Sequence, residues 1–305
     1  MNALALMASL LVQAPASGGA LAPVSSGVRA KKPEALVVWA SLSPQARAAF
    51  ITGEAGLPLR ERLLRVSEHF LGTPYVHSPL GEGSGVDPDP TFRLDAVDCL
   101  TFVEEALAMS LARNESQVQG ILERIRYAST PTYEDRNHLM EAEWLPNNRR
   151  KGFVVDVTRH YGGEDTVRVQ KTLTALTWTS RSSLELGLSR AHQPRGTYSL
   201  DMIPLDKVME HARQVPSGTL LLVLREDLPL KVTRVTHLGF VVQKGKRTWL
   251  RHARRGADGN GQVVDEDLET FLARNAKYDK WKVSGVSLYE PRNPDAGGGE
   301  LVRSP

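Results

Sequence analysis

The apolar period of this chain changes partway along, and that change limits the fold more than any other feature. Up to Ile125, hydrophobic side chains recur every three or four positions; from Phe153 onward they gather in short β-rich runs. Helices first and strands later predict one α+β domain. Ser43 followed by Pro44 pairs an N-cap type with a proline at the first helical position, opening a short helix through Phe50. Leu59, Leu63, Val66 and Phe70 continue at helical spacing until Gly72. Residues 77–90, rich in Gly, Pro and Asp, read as a loop. A second helix starts at Asp98 or Cys99, with Leu100, Val103, Leu107 and Leu111 on one face, and ends near Asn114. Ser116 caps a third, carrying Val118, Ile121, Leu122 and Ile125. Strands are expected at 153–158, 219–224, 237–243, 248–252 and 283–289, with residues 244–247 turning an antiparallel hairpin. His160 falls at the end of the first strand, and Asp265 caps a last helix bearing Leu268, Phe271 and Leu272.

The ends read differently. Leu4 to Val12 form a short apolar run, followed by small residues from Ala14 to Ala20, the layout of a secretory signal, although no Lys or Arg precedes the run. Residues 1–22 are expected to be that signal, 23–42 a flexible linker, 43–291 the domain with inserted loops and 292–305 a disordered tail. The mature protein is then expected in the periplasm or outside the cell. The run is too short to span a bilayer, so no stable membrane insertion is expected. Lys+Arg number 38 against 35 Asp+Glu, a net +3 that implies no nucleic-acid partner. At 41% hydrophobic and 24% charged, the chain is neither a disordered polymer nor a polytopic membrane protein.

The chain has one cysteine, Cys99, which excludes an intrachain disulfide and a cysteine zinc cage. Its place just after Asp98 puts it in the first turn of a helix, where the dipole favours a thiolate and should lower its pKa. There its backbone N–H could also donate to an oxyanion. Position alone fits a small residue tucked under the helix equally well. A nucleophile needs a base, and of eight histidines His237 stands out, near the start of the run Thr236 to Val242. His252 lies on the paired strand and could orient the first imidazole. A metal pair would need a third ligand, and no such cluster or HExxH exists; no metal or cofactor is expected.

The residues Asp98-Cys99, Thr236-His237-Leu238-Gly239-Phe240 and Arg251-His252-Ala253 resemble the NlpC-type, papain-like cell-wall hydrolases. The run Asp98 to Glu104, with Leu71 to Tyr75, Arg124 to Tyr127, Arg136 to His138 and Trp144 to Asn148, is similar to their N-acetylmuramoyl-L-alanine amidase-like branch. The resemblance covers residues 54–291. It implies a papain-like fold with helices on a mostly antiparallel sheet and the nucleophile at a helix N-terminus. It also implies Cys99 as nucleophile, His237 as general base, His252 as orienting third member and Tyr75 lining the site. The segments 77–90 and 130–146 are longer than in minimal domains. In the second, Arg136, Asn137 and Trp144 are expected to bind glycan or stem peptide; the alternative is a loop pinned to the domain by Arg136 and Trp144, which for Arg136 is slightly the better reading. The implied partner is peptidoglycan or muropeptides, and the implied reaction is cleavage of the N-acetylmuramoyl-L-alanine amide. A stem-peptide endopeptidase cutting after a γ-D-glutamyl unit and a non-catalytic wall-binding module are the alternatives. Glu104 and Glu105 read as helix surface or as a buried hydrogen bond.

Overall fold

The computed structural model describes residues 37–256 and 260–295. Helices α1 (Pro44–Glu54), α2 (Leu59–Glu68), α3 (Cys99–Leu111), α4 (Val118–Arg126) and α5 (Leu145–Arg150) precede every strand. Strand β1 (Val154–Asp156) leads through α6 (Thr158–Gly162), β2 (Val167–Leu173), α7 (Arg181–Leu184) and β3 (Gly196–Pro204) to α8 (Val208–His211). Then come β4 (Leu220–Arg225), β5 (Val235–Lys244), β6 (Arg247–Arg254), β7 (Gln262–Asp267), α9 (Leu268–Ala276) and β8 (Val283–Pro291). The eight strands form one antiparallel sheet in the order β2-β3-β8-β4-β5-β6-β7, with β1 also paired to β8. The architecture is α+β.

Both faces of the sheet centre are covered. On β4, Leu220, Leu222 and Leu224 enter the core built with Val66, Phe102 and Leu122 of the early helices. Leu221 and Val223 enter a second core with Val208, Phe271 and Leu272. A strand buried on both sides has no polar face, which is why residues 220–224 are an unbroken apolar run. The β5–β6 hairpin closes through Lys244 opposite Arg247, and Gly245 takes φ +59° in its tight turn.

Several expected boundaries move. β2, β3 and β7 were not foreseen. The cap of α9 is Asp267, which accepts from the Thr270 N–H at 3.1 Å, whereas Asp265 sits in β7 and binds Arg251. His160 lies in α6, not at a strand end, because the chain leaves the sheet after Asp156. The expected linker is anchored near its end: Trp39 is fully buried, and its indole donates to the Val66 carbonyl at 2.9 Å. The expected signal segment, the rest of that linker and residues 296–305 of the expected tail lie outside the described residues. No described helix is long and apolar enough to cross a membrane.

The long segment between α4 and α5 is fastened by buried polar contacts. Glu104 on α3 accepts from Arg126 at 2.7 Å and from the Trp144 indole at 2.9 Å, all three being buried. Glu141 accepts from the Thr233 hydroxyl at 2.6 Å and the Val235 N–H at 3.0 Å, tying the segment to the start of β5. Glu105, also buried, accepts from the Arg93 N–H at 3.0 Å.

Candidate active site

Asp98 fixes the start of α3 by reciprocal capping. One of its carboxylate oxygens accepts from the N–H groups of Leu100 (3.0 Å) and Thr101 (2.8 Å), and the Thr101 hydroxyl accepts from the Asp98 N–H at 2.9 Å. The other oxygen accepts from the Ser78 N–H at 3.0 Å and holds the 77–90 loop to the helix. Cys99 is therefore the first residue of α3, and it is partly exposed.

The Cys99 thiol meets the N–H groups of Leu238 on β5, of Leu100 and of Cys99 itself, all of which favour a thiolate. Burial, and then the Asp98 carboxylate, outweigh them and push the thiol pKa up. This reverses the expectation of a lowered pKa, because the cap is itself an anion and the pocket is poorly solvated. Cys99 rests as a neutral thiol.

The hairpin carries the histidines. His237 Nε2 on β5 lies 2.7 Å from His252 Nδ1 on β6, with the rings perpendicular and their centroids 4.8 Å apart. His252 Nε2 lies 3.1 Å from a Glu266 carboxylate oxygen on β7. Arg274 of α9 donates to both Glu266 oxygens, at 3.2 and 2.8 Å. Phe271, one turn earlier on α9, stacks on His237 at 5.7 Å and meets His252 edge-on at 5.1 Å. Burial, and then the adjacent His252, lower the His237 pKa well below its usual value; burial lowers that of His252 against the pull of Glu266. Both rings are neutral at neutral pH. Burial alone would raise the Glu266 pKa, but His252 and Arg274 hold it down at about 2.

Gly239 allows the two strands to approach at this point. A Cβ there would meet the Arg251 carbonyl at 2.5 Å and the His252 Cβ at 2.8 Å. Tyr75 comes from the segment before the loop, held by its N–H on the Gly261 carbonyl (2.7 Å) and by the Val76 N–H on the Val97 carbonyl (3.0 Å). Burial, then Cys99 and Asp98, raise its pKa, so the phenol stays protonated near the thiol.

Cys99, His237, His252 and Tyr75 thus come from α3, the hairpin and the 72–76 segment to one end of the sheet. Arg136, Asn137 and Trp144 do not form a substrate surface as expected. Arg136 grips Glu82 and Asp87 at 2.6 and 2.9 Å. Asn137 is buried and donates to the Ile125 carbonyl at 3.1 Å, and Trp144 is fully buried against Glu104. These side chains fasten the inserted segment from inside. Glu266, Arg274 and Phe271 were missed because β7 and the packing of α9 against the hairpin gave no periodic signal. Among the described residues, no three His, Cys, Asp or Glu side chains converge as a metal site.

Comparison with solved structures finds the same fold elsewhere. A protein from Legionella pneumophila is 20% identical, with a TM-score of 0.70 over 81% of this chain and 93% of its own. An N-acetylmuramoyl-L-alanine amidase from Bacteroides uniformis is 21% identical, with a TM-score of 0.61 over 77% of this chain and 99% of its own. A Bacteroides fragilis protein described as a candidate xylanase is 22% identical, with a TM-score of 0.58 over 74% and 99%. Identities this low speak for the fold. A search of curated proteins finds no match. The AmiA-like, N-acetylmuramoyl-L-alanine amidase-like family model matches residues 65–278, well over half of the chain. The chain belongs to the AmiA-like, N-acetylmuramoyl-L-alanine amidase-like family.

Proposed function

We propose that the protein is a cysteine amidase of the NlpC-type, papain-like kind that cuts the bond between N-acetylmuramic acid and L-alanine in peptidoglycan. The observation that carries this reading is a neutral thiol at a helix start, packed against the strand that bears a neutral, hydrogen-bonded pair of imidazoles. His237 takes the thiol proton as Cys99 Sγ attacks the lactyl carbonyl, and the Cys99 N–H donates to the oxyanion. The tetrahedral intermediate collapses as His237 returns the proton to the L-alanine nitrogen, which leaves as an amine. Water, deprotonated by His237, then releases the muramoyl group from the thioester. Tyr75, kept protonated beside the thiol, can donate a hydrogen bond there. Residues 1–22 would direct the protein to the wall as an export signal.

A glycosidase reading has less support, because such enzymes need two carboxyl groups flanking the sugar bond. The carboxylate nearest the thiol, Asp98, has both oxygens committed to backbone N–H groups. Digestion of purified sacculi, read by mass spectrometry, is expected to yield stem peptides with free L-alanine amino termini. New diaminopimelate amines instead would move the assignment to the stem-peptide endopeptidase, and binding without release to a wall-binding module. Gly239→Ala tests the strand approach. It is expected to push β6 and His252 away from His237 and lower kcat by about 10- to 100-fold, since small misplacements at a reacting centre have effects of that order. A kcat within twofold of wild type would count against the pairing of the two histidines in the reaction.

A further inference from the structure

The hydrogen-bond chain does not stop at His252, and its far end dictates where the protons of the site lie. Glu266, ionised and doubly bound by Arg274, can only accept hydrogen bonds. Its contact with His252 therefore requires the hydrogen on His252 Nε2. A neutral His252 then has a bare Nδ1, which must accept from a hydrogen on His237 Nε2. A neutral His237 protonated at Nε2 keeps the lone pair on Nδ1. From this geometry we propose that Glu266, clamped by Arg274, is the positioning residue that sets the tautomer of both imidazoles and leaves His237 Nδ1 as the basic nitrogen. The proposal rests on the cysteine-amidase reading for its catalytic consequence, although the tautomers themselves do not depend on it.

Neutral amides cannot replace this carboxylate. In Glu266→Gln, one end of the side chain becomes a donor. It then meets either the Nε hydrogen of Arg274, or both an Nη2 hydrogen of Arg274 and the Nε2 hydrogen of His252. Relief in the second case turns His252 to its Nδ1–H form, which forces His237 to the Nδ1–H form and removes the base. The charged and titratable groups around His237 are His252 on β6, Glu266 on β7, Arg274 on α9 and Arg225 on β4, with Cys99 of α3 beside the neighbouring Leu238. Of these, Glu266 favours a protonated His237, whereas His252, Arg274 and Arg225 oppose it.

Two measurements test the proposal on the full-length protein. In imidazole nitrogen NMR of the wild type at neutral pH, both His237 and His252 are expected as Nε2–H tautomers; an Nδ1–H form at either overturns the proposal. In steady-state kinetics on sacculi, Glu266→Gln is expected to lower kcat about 10- to 100-fold with KM within about twofold, the usual range for losing an orienting partner. Its acid limb of kcat/KM should move to lower pH, because a charge that favours protonated His237 is gone. Arg274→Gln should move that limb to higher pH, because an opposing charge is gone. A purely structural role would not move the two limbs in opposite directions. Limbs that move together, or a Glu266→Gln enzyme with wild-type kcat, overturn the proposal. If wild-type protein cleaves no amide in sacculi, the amidase reading fails, and the NMR result still decides the tautomers.

Discussion

Cys99→Ala is expected to release no fragments from sacculi above the no-enzyme background, a loss of at least about 10⁴-fold in kcat, as for other single-nucleophile enzymes. Cys99→Ser should be nearly as inactive. His237 is a weak base, its pKa lowered by burial and by His252, and a serine hydroxyl is a far weaker acid than a thiol. The substitution should leave the fold intact, because the start of α3 is capped by the Asp98 carboxylate, which accepts from the Leu100 and Thr101 N–H groups, and not by the Cys99 side chain. Urea denaturation should therefore give a stability within about 1 kcal/mol of wild type, the ordinary size of a single substitution. Residual turnover above about 1% in a well-folded Cys99→Ala protein would remove Cys99 from the nucleophile's role.

Arg126→Ala should produce the largest loss of stability, about 3–5 kcal/mol, the range for removing one partner of a buried ion pair. Its guanidinium holds Glu104 at 2.7 Å and reaches the Leu80 carbonyl at 3.3 Å, joining α4, α3 and the 77–90 loop in one buried contact. Burial already raises the Glu104 pKa, with Arg126 and Trp144 pulling it back down. Without Arg126 the raised pKa rises further. The folded state then takes up a proton that the unfolded chain binds only below about pH 4.5. The deficit should thus be smallest in acid and grow as pH rises through the folded-state value. Urea denaturation at pH 5 and pH 8 reads this directly. The double variant Arg126→Met with Glu104→Gln should recover part of the loss, because no unpaired charge is left behind. A pH-independent deficit would mean that packing, rather than the ion pair, accounts for the loss.

The parts of this molecule legible in its sequence are those whose physics is local. Asp98 and Thr101 cap α3 across three residues, and the buried stripes of α2 and α4 follow the helical period. The hairpin was readable because Lys244 to Arg247 sit between two apolar strands. β7 was not, because the second half of it is entirely acidic. Asp265 is bound by Arg251 and Lys244, Glu266 by His252 and Arg274, and Asp267 caps α9 and meets Arg247. These partners lie on other elements, so the strand looks like a solvated loop until the fold is assembled. The same blindness put Arg136 and Trp144 on a binding surface, since a polar-aromatic cluster reads alike whether it points inward or outward. The sign of the Cys99 shift failed for the complementary reason. The helix start is local, but the burial that overrides it depends on β5.

The carboxylate that caps α3 has a further consequence for the durability of the protein. Peroxide and most electrophiles attack the thiolate, and sulfur carried past the sulfenic stage is not readily restored. Burial, and then Asp98, raise the Cys99 pKa, so the sulfur is expected to meet peroxide as the less reactive thiol. The residue that builds the helix start should thus also slow oxidation of the thiol it presents, in a chain with no second cysteine to form a rescuing disulfide.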